Sequence, residues 1–182
     1  GTFAFKKANG TFSLAADETD NFTADYLAIS GTVNSAFIGV DDLGLTLTTV
    51  NFGVLLVTDD QGDVDAANDI SYSAVTATIG SATFAGIPGL TAIATNTSFR
   101  MNQTTAVDTN AVLDFSGSHG FTFAGTTLTL EMAETEGGLI EAQSDLDLDV
   151  FGLVTLNGTF AFKKANGTFS LAADETDNFT AD

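Results

Sequence analysis

The densest oxygen chemistry in the chain lies in eleven consecutive residues: Asp59, Asp60, Gln61, Gly62, Asp63, Val64, Asp65, Ala66, Ala67, Asn68 and Asp69. Calcium takes about six to eight hard oxygen ligands and tolerates flexible loops. This stretch offers the carboxylates of Asp59, Asp60, Asp63, Asp65 and Asp69, two side-chain amides and the backbone carbonyls. A Ca2+ site is one expectation, and a solvated acidic turn is the other. The order of acids around Gly62 and the missing closing glutamate depart from the EF-hand pattern. Three more carboxylates, Asp145, Asp147 and Asp149, alternate with Leu146, Leu148 and Val150. Alternation places all three on one strand face, where they repel unless water, cations or a neighbouring strand's lysines intervene. Lys163 and Lys164 follow closely enough to serve as those lysines. Asp17, Glu18 and Asp20 form a third acidic group, read as a loop.

Catalytic chemistry has less to build on. His119 is the only histidine, in the small-residue turn Ser116-Gly117-Ser118-His119-Gly120. A nucleophile–base pair needs hydrogen-bond reach and an orienting acid, which neighbours on one turn rarely achieve. No carboxylate pair stands out for glycoside hydrolysis, and the chain has neither a phosphate-binding glycine loop nor zinc-type ligand spacing. The expectation is that the chain is not an enzyme. Glycosylation sequons at Asn9, Asn21, Asn96, Asn102 and Asn157 only slightly exceed what so Thr- and Ser-rich a chain produces by chance.

The elements that must carry these residues are strands. Hydrophobic residues make up 44% of the chain, and its aromatics are 16 Phe and 2 Tyr without Trp, a mixture that favours strands and turns. Period-two alternation recurs: Phe12, Leu14 and Ala16; Leu27, Ile29 and Val33; Leu43, Leu45 and Leu47; Leu113 with Phe115; Phe121 with Phe123; Leu128, Leu130 and Met132; Leu146, Leu148 and Val150. From Phe52 to Val57 both parities are apolar, which predicts a strand covered on two sides. Ile70, Tyr72 and Ala74 alternate, then Val75, Ala77 and Ile79 continue on the other parity, which predicts a bulge near Ala74. Turns are expected at Asn9-Gly10 (a tight hairpin), Asp41-Asp42 and Gly137-Gly138. This pattern predicts roughly ten or eleven strands per repeat and an all-β fold.

The charge is lopsided, 24 acids against 5 Lys and Arg, for a net of −19. Such a surface repels nucleic acid and anionic membrane and draws divalent cations or simply keeps the chain soluble. No apolar run approaches the roughly 18 residues of a membrane-spanning helix, so no membrane insertion is expected. The absence of cysteine excludes disulfide staples and thiolate metal sites and fits an acidic β-protein of a bacterial or archaeal surface.

Organisation comes from repetition. Residues 1–25 recur unchanged as residues 158–182, a period of 157 residues. Residues 1–157 are read as one full β-repeat and 158–182 as the start of the next identical one. Gly158 falls within the alternating stretch Leu153-Val154-Thr155-Leu156-Asn157-Gly158-Thr159-Phe160-Ala161-Phe162, so Gly1 is expected to fall in mid-strand too. A boundary inside a strand, with Pro88 the only proline, favours elongated, continuous β-structure, solenoid- or sandwich-like, in which each repeat completes its neighbour. A string of discrete β-sandwiches is the alternative.

Residues 153–162, residues 37–45, and Gly86-Ile87-Pro88-Gly89-Leu90-Thr91 followed by residues 96–102 resemble tandem repeats of very long, secreted or surface-displayed bacterial proteins. That resemblance implies an adhesin-like, sheath or filament role outside the cell or at its surface. It supplies no catalytic or binding residues. The resulting expectation is a structural subunit of an extracellular fibre, with a calcium-stiffened adhesin stalk as the alternative and neighbouring repeats or identical chains as partners.

Overall fold

Alternating Val, Ile, Phe and Thr segments pair edge to edge into one long antiparallel meander, in a computed structural model that describes residues 1–15, 20–63, 65–106, 111–170 and 178–181. Its strands are β1 (Thr2–Ser13), β2 (Asn21–Val40), β3 (Leu43–Asp59), β4 (Ile70–Ala85), β5 (Leu90–Thr104), β8 (Leu139–Val150) and β9 (Val154–Lys164). They lie side by side in that order, and β1 does not pair with β9, so the sheet is open. The short strands β6 (Phe121–Thr122) and β7 (Thr129–Leu130) pair inside the insertion between β5 and β8. A last hairpin joins β10 (Gly167–Ser170) to β11 (Asn178–Ala181). The fold is all-β, as expected. No helix among the described residues is long and apolar enough to cross a membrane.

The strands are fewer and longer than the sequence pattern suggests, because segments read as separate are joined. β2 alone runs through 20 residues, from Asn21 past Gly31 to Val40. Asn9 and Gly10 do not form a hairpin. They pair inside β1 with Asp25 and Ala24. Gly10 is small for packing: a Cβ there would sit 3.1 Å from the Tyr26 ring. The Asp41-Asp42 and Gly137-Gly138 turns do form, with Asp41 at φ 51° and Gly137 at φ 59°.

The expected bulge at Ala74 is also absent, since β3 and β4 stay in register from Asp59↔Ile70 to Val50↔Ile79. Tyr72 and Ala74 simply face one side of the sheet, while Val75, Ala77 and Ile79 face the other. The irregularities lie elsewhere. Thr49 (φ 53°) and Asn96 (φ 52°) take left-handed conformations flanking Gly80, and β5 slips against β8 between Thr95 and Ser98. A β-branched residue rarely accepts positive φ, and this row marks off two halves of the sheet, residues on either side of it staying in register on β2, β3 and β4.

Among the described residues, only one face of one half is covered. The rows Lys6–Ala28–Leu55–Ala74–Asn102–Leu139 and Ala8–Tyr26–Val57–Tyr72–Thr104 point into the insertion. Leu113, Phe115, Phe123, Leu130 and Met132 descend on them, each at most 2% exposed, and complete the core. Phe123 stacks edge-on to Phe121 at 5.2 Å and lies directly over Gly53, where a Cβ would come within 2.4 Å of its ring. Ser30 Oγ donates to the Ala124 carbonyl at 2.7 Å, and Asn102 Nδ2 to that of Leu113 at 2.7 Å, tying the insertion to the strands beneath it. Most of the insertion is irregular: the alternation of Leu113 with Phe115 reflects contact with the sheet, with no strand formed there.

Candidate functional site

Two edges of the sheet carry the feature most pertinent to function. Residues 158–164 of β9 duplicate residues 1–7, most of which lie in β1. The first copy pairs with β2 (Thr2↔Thr32 through Lys7↔Leu27) and lies at one edge of the sheet. The second pairs with β8 (Gly158↔Leu146 through Lys164↔Ile140) and lies at the opposite edge. Identical residues therefore take two different neighbours. Beyond them, Gly167↔Ala181, Thr168↔Thr180, Phe169↔Phe179 and Ser170↔Asn178 reproduce the register Gly10↔Ala24 through Ser13↔Asn21. The second copy thus begins the same hairpin as the first.

Register across the sheet decides whether these edges are compatible. The cross-strand row that starts at Phe3 runs through Gly31, Phe52, Ala77, Phe99 and Ala142 to Phe162. Phe162 duplicates Phe5, so crossing the sheet advances the sequence by two positions. Side chains alternate faces with period two. An even advance keeps every side chain on the same face, whereas an odd one would turn the apolar set over. The lysines fit as well: Lys6 Nζ lies 5.5 Å from the Tyr26 ring centre, and its duplicate Lys163 donates to Glu136 Oε1 at 2.6 Å. One lysine position thus reaches the strand on one flank in the first copy and the insertion on the other flank in the second. Asn166 N also donates to the Glu136 carbonyl at 2.9 Å.

The acidic loop lies between β3 and β4, with Asp59 as the last residue of β3 and Val64 outside the described residues. Its carboxylates serve local turns. Asp59 accepts from the backbone and side chain of Gln61, Asp60 from Gly62 N at 3.0 Å, and Asp65 from Ala67 N at 3.1 Å. Asp63 accepts from Asn68 Nδ2 at 2.9 Å and Asp65 N at 2.7 Å, and these two bonds hold its carboxyl below the usual range. Asp69 follows the second turn of the loop. Among the described residues, no three His, Cys, Asp or Glu side chains converge as a metal site would need. Of the Asp17, Glu18 and Asp20 group, only Asp20 lies within the described residues.

The Asp145, Asp147 and Asp149 row forms on one strand face, but the lysines do not meet it. Its partners on β9 are Thr159, Asn157 and Thr155, while Lys163 and Lys164 stand opposite Glu141 and Ile140. Hydrogen bonds from Asn96 Nδ2 at 2.8 Å and Thr159 Oγ1 at 2.6 Å lower the Asp145 pKa. Gly152 N donates to Asp149 at 2.7 Å. Asp145 and Asp149 are thus met by neutral donors, not lysines.

A constellation that the sequence reading passed over surrounds Asp114, a buried carboxylate 2% exposed between Leu113 and Phe115. It lies 2.7 Å from His119 Nδ1 and accepts Ser116 Oγ at 3.0 Å, Ser116 N at 3.2 Å and Glu134 N at 3.3 Å. Burial pushes the Asp114 pKa up, but hydrogen bonds from His119, Glu134 and Ser116 outweigh it and hold the carboxyl below its ordinary range. Glu134 is raised by its own burial, and then by its hydrogen bond to Asp114. A cavity of about 390 Å³ lined by Thr11, Ser13, Asn21, Ser118 and His119 adjoins the group. Ser116 Oγ is bonded to the acid, beside the acid–histidine pair. The arrangement pins both ends of the insertion to one anion. The signal for it was an acid flanked by two apolar core residues, five positions before the only histidine.

No protein-family model, curated protein or solved structure matches the chain.

Proposed function

We propose that the chain is a structural subunit of an extracellular fibre or surface filament built from tandem 157-residue β-repeats. One observation carries this reading: the same six residues take β8 on one flank as residues 159–164 and β2 on the other as residues 2–7. If a single strand takes both neighbours, the sheet passes from repeat to repeat without a linker, and each copy covers an edge that would otherwise invite aggregation. β9 then serves as the next repeat's β1. Each repeat contributes six strands, β1 to β5 and β8, so the axial repeat is about 29 Å at ~4.8 Å per strand. Backbone ladders along the fibre axis supply stiffness, and the −19 charge keeps fibres dispersed or lets cations link them. The acidic, cysteine-free composition and the repeat pattern support placement outside the cell.

Electron micrographs of protein carrying many repeats are expected to show threads with an axial period near 29 Å. Beads at a spacing well above that, or compact particles of one size, would count against it. The second reading is an adhesin stalk stiffened by calcium at the 59–69 loop. It is favoured by the position of Asp60, Asp63, Asp65 and Asp69 together in one exposed β3–β4 connection. It requires a distinct ligand-binding domain beyond the repeats in the complete reading frame.

A further inference from the structure

The insertion covers one face of the sheet, and the opposite face of the same half has no cover within the described residues. Three of its rows are Phe3–Gly31–Phe52–Ala77–Phe99–Ala142–Phe162, Phe5–Ile29–Val54–Val75–Met101–Ile140–Lys164 and Lys7–Leu27–Leu56–Ser73–Gln103. Phe3, Phe5 and Phe162 are 68%, 71% and 60% exposed, and Leu56 is 42% exposed. The two-sided apolar pattern of Phe52 to Val57 is thus satisfied on one side only, by Leu55 and Val57 under the insertion.

We infer that this bare face packs against the same face of a second copy of the chain, two sheets closing into a sandwich. Three observations choose that occupant. First, although the chain has 24 acidic residues, none falls in these rows, and the only charges are Lys7 and Lys164 on the two edge strands. Two such faces meet without burying like charges. Second, the first row alternates large and small across the strands: Phe, Gly, Phe, Ala, Phe, Ala, Phe. Phe3 and Phe52 already lean together over Gly31, 6.1 Å between ring centres. The gaps over Ala77 and Ala142 are spaced at twice the strand separation, as are the rings that flank them. An identical row offset by one strand places its rings in those gaps, the interdigitation by which like sheets form dry interfaces. Third, the area suffices. Seven strands at ~4.8 Å and about 20 Å of strand length present roughly 650 Å², close to the ~800 Å² per partner of a stable interface.

The inference takes its setting from the fibre reading, to which it adds a lateral contact, but it uses a different surface from the repeat seam. Face packing with two-fold symmetry closes at a dimer, whereas edge addition stays open-ended. Sedimentation equilibrium of the 182-residue chain is expected to give a dimer. The double substitution Phe52→Thr with Phe99→Thr should weaken it roughly tenfold or more, with the far-UV circular dichroism of the parent retained. Ala77→Asp gives an independent readout that removes no core side chain: its carboxylate stands in water on the bare face of a monomer but meets a partner ring in the dimer, so it should weaken dimerisation, whereas Thr78→Asp, on the opposite face of the same strand, should not. A monomer of the parent chain at every concentration, or equal weakening by the changes at positions 77 and 78, overturns the proposal. Threads of multi-repeat Phe52→Thr/Phe99→Thr protein that keep the ~29 Å period but lose lateral pairing support it and leave the seam standing. Loss of the period with an intact dimer removes the seam and keeps the face.

Discussion

Gly53 and Phe123 form a contact whose energy should change sign with its partner. Phe123 is 2% exposed and rests on the strand where Gly53 lacks a side chain. Removing the ring with Phe123→Ala leaves a void over a residue that has nothing to fill it, at a cost of about 3–5 kcal/mol. Gly53→Ala alone drives a methyl to within 2.4 Å of the ring, and overpacking of that kind costs about 1–3 kcal/mol. Made in the Phe123→Ala background, the same Gly53→Ala substitution enters an empty space and gains the ~0.5–1 kcal/mol by which Ala exceeds Gly in regular structure. The double-mutant cycle therefore predicts a coupling of roughly 2–4 kcal/mol between the two sites. Urea unfolding of the four proteins, followed by circular dichroism and by the fluorescence of buried Tyr26 and Tyr72, measures it. If Gly53→Ala costs the same in both backgrounds, the insertion does not lie on this face, and the reasoning that leaves the other face bare fails with it.

Acid should weaken the fold through Asp114. Its pKa is lowered in the folded state, so its contribution is complete above the unfolded carboxylate value near ~4 and is lost as pH falls through the lower folded value. Glu134, raised in the folded state, acts in the opposite sense and is lost as pH rises through its folded value. Asp114→Asn is accordingly expected to lower Tm at neutral pH and to flatten its decline below about pH 4; an unchanged acid limb refutes the role given to this anion. At the 59–69 loop, calcium must take Asp63 from Asn68 and the Asp65 amide. Bound calcium should raise Tm, with the rise abolished by a chelator and by Asp63→Asn with Asp65→Asn, and a Tm indifferent to calcium removes the ion from the account.

The extent to which this fold is legible in the sequence varies with the kind of residue. Alternation such as Tyr72 and Ala74 identifies strands because burial on one face imposes period two directly. It does not give strand length: the alternation of Leu27, Ile29 and Val33 runs across Gly31, which makes room for Phe3 and Phe52, but does not show that the strand extends from Asn21 to Val40. Asn9-Gly10 misleads because a glycine chosen for space under Tyr26 carries the letters of a turn. The parity change after Ala74 reads as a bulge only on the assumption that a single face is apolar. Both faces are, each for a different partner. At the candidate sites, the seam is legible because identity over residues 1–25 and 158–182 is a property of the letters alone, although its register is not. The Asp114 group is not legible, because its donors come from Ser116, His119 and Glu134, which only the folded insertion brings together. The lysines expected beside Asp145 and Asp147 are displaced because the β8–β9 turn at Phe151 and Gly152 sets which residues of β9 stand opposite them.

Amide hydrogen exchange tests the shared strand most directly. In the 182-residue chain β9 is an edge, so alternate amides between Thr159 and Lys164 should be slow and those between them fast. In a chain carrying two complete repeats, the fast set should become slow, because β2 of the second repeat then bonds the other side of the same strand. If the alternating pattern persists in the longer chain, neighbouring repeats do not share a sheet.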